Sequence, residues 1–255
     1  MAEHSENSYK AVVIDLFDTL VSWNPAGLPL VEWRGRPIRS TMPLLFPTLE
    51  AALGARFDRD RFMAVHESVY REIFAQRLKH DAVETTCFQR FALTLEMLGL
   101  EDGEVAPLAE KLRQIHMARV REVTAAPAAR IDAMKKIAAH VRVGLISNFD
   151  DSETGHLIMH DTGIRDLFEA IVISADTGWR KPNPLIFRRL LEAMSLEPAD
   201  ILFVGDTPHD DVLGSKRVGM HSAWIQSRGR EFPADVPAPD ITISDLSELP
   251  ATLGL

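Results

Sequence analysis

From Pro127 onward, short apolar runs alternate with amphipathic stretches, and this alternation is the strongest constraint on what the chain can fold into. A helix through Ile131, Met134, Ile137 and Ala138 leads to the run Val141 to Ile146, and a second, near residues 151 to 162, leads to Ala170 to Ser174. A third, holding Ile186, Phe187, Leu190, Leu191 and Met194, precedes Ile201 to Val204. After a further helix ending near Gly219 come the shorter runs Ser222 to Gln226 and Ile241 to Ile243. Strand and helix taking turns imply an α/β fold with a mostly parallel sheet covered on both faces. Right-handed crossovers then bring every strand's carboxyl end to one rim, where open α/β sheets keep their sites.

Near the N-terminus, Ala11-Val-Val-Ile14 reads as one more buried strand of that sheet, and it delivers Asp15 to the same rim. An aspartate there has three uses: it attacks phosphorus or carbon, it holds a hard cation, or it caps its own turn. Asp18 and Thr19 follow directly. The decapeptide alone leaves the three open.

Between this strand and Pro127 the pattern changes. Residues 21 to 47 carry several prolines, two glycines, and Trp23 and Trp33, which favours an irregular connection over a second strand. Arg34, Arg36 and Arg39 lie in it, either as cations that meet an anionic substrate or as parts of a solvated loop, and the two tryptophans, with these arginines, are candidates for a specificity surface or for hinge packing. From about residue 48 to 123 the period is helical. Phe62, Val65, Val69 and Ile73 recur at helical spacing, as do Phe88, Phe91, Leu95 and Leu98, and Val105, Leu108, Leu112 and Ile115. Breaks near Gly54, His80 to Glu84 and Gly99 to Gly103 divide the stretch into about four helices, a small bundle inserted after the first strand. His66, His80 and His116 fall in it without metal-ligand spacing.

Charge and cysteine content narrow the function classes. With 28 basic against 37 acidic residues and no basic block, nucleic acid and acidic membrane surfaces are not expected partners, whereas a small anionic substrate is. The single cysteine, Cys87, excludes an intramolecular disulfide and any multi-cysteine metal site. Residues 1 to 9 read as a polar tail without signal-peptide regions, and no window approaches a membrane span. A cytoplasmic protein is the expectation. No pattern fixes an oligomeric state.

Four rim loops contribute Asp15 and Thr19, Ser147 and Asn148, Lys181, and Asp206 with Asp210 and Asp211. Singly, these are ordinary turn and helix-start residues. Together they supply what carboxylate attack on a phosphoryl group needs: hydroxyls for the non-bridging oxygens, a cation to offset charge, and carboxylates for Mg²⁺. The set resembles the haloacid dehalogenase-like hydrolases. Asp15-Leu-Phe-Asp-Thr19-Leu is similar to the first motif of that family, Ser147-Asn148 to the second, Gly178-Trp-Arg-Lys181-Pro182 to the third, and Gly205-Asp206-Thr-Pro-His-Asp-Asp211 to the fourth. The resemblance implies a Rossmann-like catalytic core over residues 1–20 and 126–255, with an inserted helical cap over residues 21–125.

By the same resemblance, Asp15 is the nucleophile that forms a covalent aspartyl intermediate, and Lys181 balances charge beside it. Thr19, Ser147 and the Asn148 backbone bind the transferring group. Asp15, the Phe17 carbonyl and Asp206 hold Mg²⁺, and Asp211, or alternatively Asp210, orients Lys181 or a metal-bound water.

One position departs from the pattern. Phosphatases of the family usually carry a second aspartate two residues after the nucleophile, where it protonates the leaving oxygen, and this chain has Phe17 there. A general acid worth about 10² to 10⁴-fold in rate is missing from its usual place. Three readings stay open. The first is an Mg²⁺-dependent phosphatase whose leaving group needs little help, or whose acid is Asp18, His209 or a cap residue. The second is a metal-independent 2-haloacid dehalogenase, since halide departs without a proton and such enzymes carry an aromatic residue here. The third is a binding or regulatory protein. Dehalogenases have neutral polar residues in place of Asp206, and clustered carboxylates repel one another without a cation. The phosphatase of a small phosphorylated metabolite is therefore the expectation.

Overall fold

The computed structural model describes residues 9–79, 82–226 and 231–255. The expected polar tail through residue 8 and His80 lie outside the described residues.

The first strand, β1 (Ala11–Ile14), is buried at every position. Three short strands come next: β2 (Ser22–Trp23), β3 (Leu30–Trp33) and β4 (Arg36–Arg39). This corrects the expectation of an irregular connection. β3 and β4 pair antiparallel around Arg34-Gly35, and both loop residues have positive φ, 51° and 72°. That is the backbone of a two-residue primed turn, whose twist matches the hairpin. Pro37 is tolerated because the hairpin is a free two-stranded ribbon with open edges.

Four helices follow, α1 (Met42–Leu53), α2 (Arg59–Lys79), α3 (Cys87–Met97) and α4 (Asp102–Glu122). α3 starts on a capping box, in which Thr86 accepts from the Gln89 amide and Gln89 Oε1 accepts from the Thr86 amide. Their apolar faces close on a core of their own that includes Leu45, Leu49, Phe62, Phe91, Leu95 and Leu112. Val65 and Phe88, expected on the packed faces, are only half-buried. β5 (Thr124–Ala125) leads out of the lobe and pairs antiparallel with β2, which leads in.

Thereafter helix and strand alternate: α5 (Ala128–Ala138), β6 (Arg142–Ser147), α6 (Ser152–Asp161), β7 (Ala170–Ile173), the single turn α7 (Ser174–Thr177), α8 (Pro184–Met194), β8 (Ile201–Gly205), α9 (Leu213–Arg217), β9 (His221–Ile225), β10 (Ile241–Ile243) and the last turn α10 (Leu249–Thr252). Asp151 caps α6 by accepting from the Thr154 amide, and Asn183 caps α8 ahead of Pro184. The main sheet has the order β10-β9-β8-β1-β6-β7, and every neighbouring pair is parallel. β1 is therefore central, buried between β6 and β8, and the carboxyl ends of all three open on one rim. Each strand is apolar because both faces are covered.

Among the described residues, no helix is long and apolar enough to cross a membrane.

Candidate active site

Asp15 leaves β1 at the rim and is 7% exposed. Its neighbours arrive from the adjacent strands. Ser147 ends β6 and Asn148 follows it; Gly205 ends β8 and Asp206 follows; Lys181 comes from the loop between α7 and α8. These residues surround a cavity of about 240 Å³, lined by Asp15, Phe17, Asp18, Ser147, Asn148, Arg180, Lys181, Asp206, Thr207, Asp210 and Asp211. Thr19 is not among the lining residues. It is fully buried just past the Asp15 to Asp18 turn.

Lys181 is the centre of the charge arrangement. Its ammonium donates to Asp15 Oδ1 at 2.6 Å and to the Ile146 carbonyl at 3.1 Å, and it lies 2.7 Å from Asp211 Oδ1. Burial works against its charge, but Asp15 and Asp211 outweigh that and hold the ammonium above its ordinary range. The two adjacent aspartates of the last loop divide their work. Asp211 faces Lys181 and accepts from the Thr207 amide at 2.8 Å, whereas Asp210 accepts from Asn148 Nδ2 at 3.0 Å. Asn148 in turn accepts from the Lys181 amide at 2.7 Å, which ties the second and third loops together. The Asp211 side chain comes so close to the strand end that a Cβ on residue 205 would meet its carboxyl carbon at 2.3 Å, so only glycine fits there.

Asp15, Asp206 and Asp211 each bring an oxygen within 4.8 Å of the others. One lysine does not balance them. Burial pushes the Asp15 carboxyl up to about 7, Lys181 pulls against this, and Asp211 adds to it. Burial and then Asp211 push Asp206 up to about 6. Two hydroxyls here, Thr19 Oγ1 and Ser147 Oγ, are buried with no hydrogen-bond partner among the described residues. Native interiors rarely leave such groups unmet. The donor set is all oxygen, carboxylate-rich and short of positive charge, which fits a hard divalent cation. Of the two hydroxyls, that of Ser147 lines the cavity and fits the oxygens of an anion beside the cation.

The position occupied by Phe17 offers no proton. Its ring packs on Phe149 at 4.8 Å between centroids. Of the other acids considered, Asp18 lines the cavity and is exposed, with φ of 59°. His209 is exposed and turned to Asp235, at 3.0 Å, and does not line the cavity. The arginines of the hairpin are also placed elsewhere: Arg34 pairs with Glu67 at 3.1 Å, Arg39 donates to the Leu28 carbonyl at 2.8 Å, and none of the three lines this cavity.

Two residues here were not legible beforehand. Arg180 lines the cavity, and its guanidinium is held by Glu84, a carboxylate from the α2–α3 connection that also accepts from Ser174 Oγ, from Arg77 at 2.8 Å and from the Thr85 amide at 3.0 Å. The same connection docks by backbone, with the Glu84 amide donating to the Gly178 carbonyl at 2.8 Å and the Arg180 amide to Ala82 at 2.7 Å. Arg180 had a signal, a second cation beside Lys181. Glu84, a lone acid in a polar break, had none.

Comparison with known proteins places the chain in a family. The chain is 32% identical to the pyrimidine 5'-nucleotidase YjjG of Escherichia coli (strain K12), over 63% of its own length and 68% of the relative's. It is 25% identical to a phosphoserine phosphatase of Thermus thermophilus, over 94% and 97%. A crystal structure of a 2-haloacid dehalogenase from Pseudomonas syringae superposes with a TM-score of 0.72 at 23% identity, covering 96% and 98% of the two chains, a likeness of fold. A model of the haloacid dehalogenase-like hydrolase family matches residues 9–219. With its acidic rim site on a parallel α/β sheet, this chain belongs to the haloacid dehalogenase-like hydrolases.

Proposed function

We propose that this hydrolase is an Mg²⁺-dependent phosphatase that acts on a small phosphorylated metabolite through a phosphorylated Asp15. The observation that carries the reading is the charge imbalance at the rim, where three buried carboxylates share one lysine. The nucleotidase and phosphoserine phosphatase relatives, at 32% and 25% identity, point the same way.

Asp15, Asp206 and the Phe17 carbonyl would hold the cation, with Asp211 beside them. When bound, it supplies positive charge to the non-bridging oxygens of the transferring group. With Asp15 Oδ1 engaged by Lys181, Oδ2 is the oxygen left to attack phosphorus. The phosphorus–oxygen bond to the leaving group breaks as the bond to Asp15 forms, and water then releases phosphate from Asp15. The Ser147 hydroxyl donates to the phosphoryl oxygens, and Lys181 offsets the charge that builds near Asp15. Since Phe17 donates nothing, substrates with weakly basic leaving groups, such as acyl or aryl phosphates, turn over fastest.

Phe17 also favours a second reading, haloacid dehalogenation, in which a halide leaves Asp15-bound carbon without a proton. Phosphate release from acetyl phosphate and p-nitrophenyl phosphate, with Mg²⁺ and with chelator, separates the two. Release that requires Mg²⁺ and Asp15 supports the phosphatase. No release from either, with halide liberated from 2-chloropropionate under chelation, supports the dehalogenase.

A further inference from the structure

The helical lobe holds a second cavity, of about 660 Å³, a size in the range of small-molecule sites. Trp23, Trp33 and Met63 line it together with His66, Arg90 and Asp150. The Trp33 ring is pinned, because its Nε1 donates to Glu67 Oε2 at 3.3 Å and the Arg34 guanidinium lies 5.4 Å over its face. His66 is pinned too, stacked against Phe62 and Phe91 with ring centroids at 6.0 and 5.2 Å.

Hydrogen bonding fixes what the polar side offers. Thr94 Oγ1 gives its one proton to the Arg90 carbonyl at 2.8 Å, so its 3.1 Å contact with His66 Nδ1 requires the imidazole to donate. The His66 proton is therefore on Nδ1. Its Nε2 is a bare acceptor with no partner among the described residues, on a ring that lines the cavity. His116 is set the same way: Arg90 Nη2 approaches its Nε2 at 3.5 Å, and Nδ1 donates to Thr41 Oγ1 at 2.6 Å. Arg90 is committed to Asp150, His116 and Cys87 Sγ. The cavity thus presents apolar ring walls and an acceptor, and of the two arginines that line it Arg90 is paired with Asp150 while Arg39 donates to the Leu28 carbonyl.

This cavity and the rim site border one loop. Ser147 and Asn148 line the first site, Asp150 lines the second, and Phe149 between them packs on Phe17. We infer that the cavity receives the leaving group of the substrate, and that this group is a planar aromatic or heteroaromatic ring whose N–H or O–H donates to His66 Nε2. That the ring is a leaving group rests on the proposed phosphatase; the preference for a donor-bearing ring follows from the cavity alone.

Isothermal titration of the full chain with indole, 1-methylindole and benzofuran tests the preference: 1-methylindole replaces the donor hydrogen with a methyl group, and benzofuran removes the donor without adding bulk. Indole binds about tenfold more tightly than either, the scale of one hydrogen bond. His66→Phe, which keeps the stack and removes the acceptor, abolishes the difference, and Trp33→Ala weakens all three ligands alike. Equal affinity for indole and benzofuran, or binding of none of the three at millimolar concentration, overturns the inference. A kinetic arm tests the role: indole raises KM for p-nitrophenyl phosphate and leaves acetyl phosphate hydrolysis unchanged. Indole binding without any effect on the aryl phosphate overturns the leaving-group assignment. If no phosphate ester or acyl phosphate turns over, the phosphatase fails while the titration still decides the ring preference.

Discussion

Among the described residues, two buried groups of titratable side chains have electrostatics that run in opposite directions. At the rim, burial pushes Asp15 up to about 7 and Asp206 up to about 6, and Asp211 adds like charge to both. In the helical lobe, burial pushes His66 down to about 3 and His116 down to about 4, and Arg90 adds like charge to both. The physics is the same, since desolvation and like neighbours each penalise the charged form. The outcome differs in what relieves it. Arg90 is already paired with Asp150, so the histidines settle as neutral hydrogen-bonding rings. Asp15 and Asp211 share the one ammonium of Lys181, and a bound cation would relieve the charge that remains. At the rim the buried titratable groups are acids left with a surplus of like charge, whereas in the lobe they are imidazoles held neutral, as a reacting centre and a recognition surface would require.

The widest break in that comparison is at Asp15. Asp15→Asn keeps the side chain's shape and lowers phosphate release by about 10⁴-fold or more, as loss of a nucleophile does. A variant within tenfold of the parent, with unchanged circular dichroism, would remove Asp15 from the chemistry.

Lys181 comes next. Lys181→Met leaves two buried carboxylates facing each other and costs about 3 to 5 kcal/mol in urea unfolding. Added Mg²⁺ recovers part of the loss by binding the folded state. A variant as stable as the parent would mean that the lysine does not balance the rim.

Glu84→Gln probes the contact between the lobe and the rim, because it leaves Arg77 and Arg180 without their shared counter-charge. The expected cost is about 2 to 3 kcal/mol, read from the urea midpoint. No change would show that the four hydrogen-bonding partners of Glu84 act as spectators.

The smallest effect belongs to the lobe and appears in its pH dependence. Both histidines have folded values below the ordinary 6.5, so the unfolded chain takes up protons that the folded one refuses. Their contribution to stability is fully present above about pH 6.5 and is lost progressively as the pH falls from there towards about 4 for His116 and about 3 for His66, at up to about 1.4 kcal/mol per pH unit for each. Comparing urea midpoints of the parent and His66→Phe between about pH 7 and about pH 5 isolates one of them. The gap between the two proteins should narrow or reverse in favour of the variant as the pH falls, and a gap that stays constant would show that His66 is not held neutral.

The rim was largely legible in the sequence because each buried strand is an apolar run that stops at a polar residue. Asp15, Ser147 and Asp206 could be placed together from that grammar alone, since parallel strands share a rim. The choice between Asp210 and Asp211 was not legible. It depends on the turn over Pro208–Val212 and on the bare Gly205 that lets Asp211 close on Lys181. The β3–β4 hairpin was missed because prolines there masked a strand pattern of only four residues on each side, although Gly35 marked its turn. Glu84 meets Ser174 and Arg180 across 90 and 96 residues of chain, a separation that no local pattern reports. The acceptor on His66 depends likewise on which way Thr94 gives its proton.

The most direct test of the account is phosphate release from acetyl phosphate by the parent and by Asp206→Asn, each measured across an Mg²⁺ titration and in chelator. The account predicts release by the parent that rises with Mg²⁺ and stops in chelator, and a variant that loses it or needs far more Mg²⁺. Release that persists in chelator, or an Asp206→Asn variant with the parent's rate and Mg²⁺ dependence, would contradict the claim that the surplus charge at the rim exists to hold a cation.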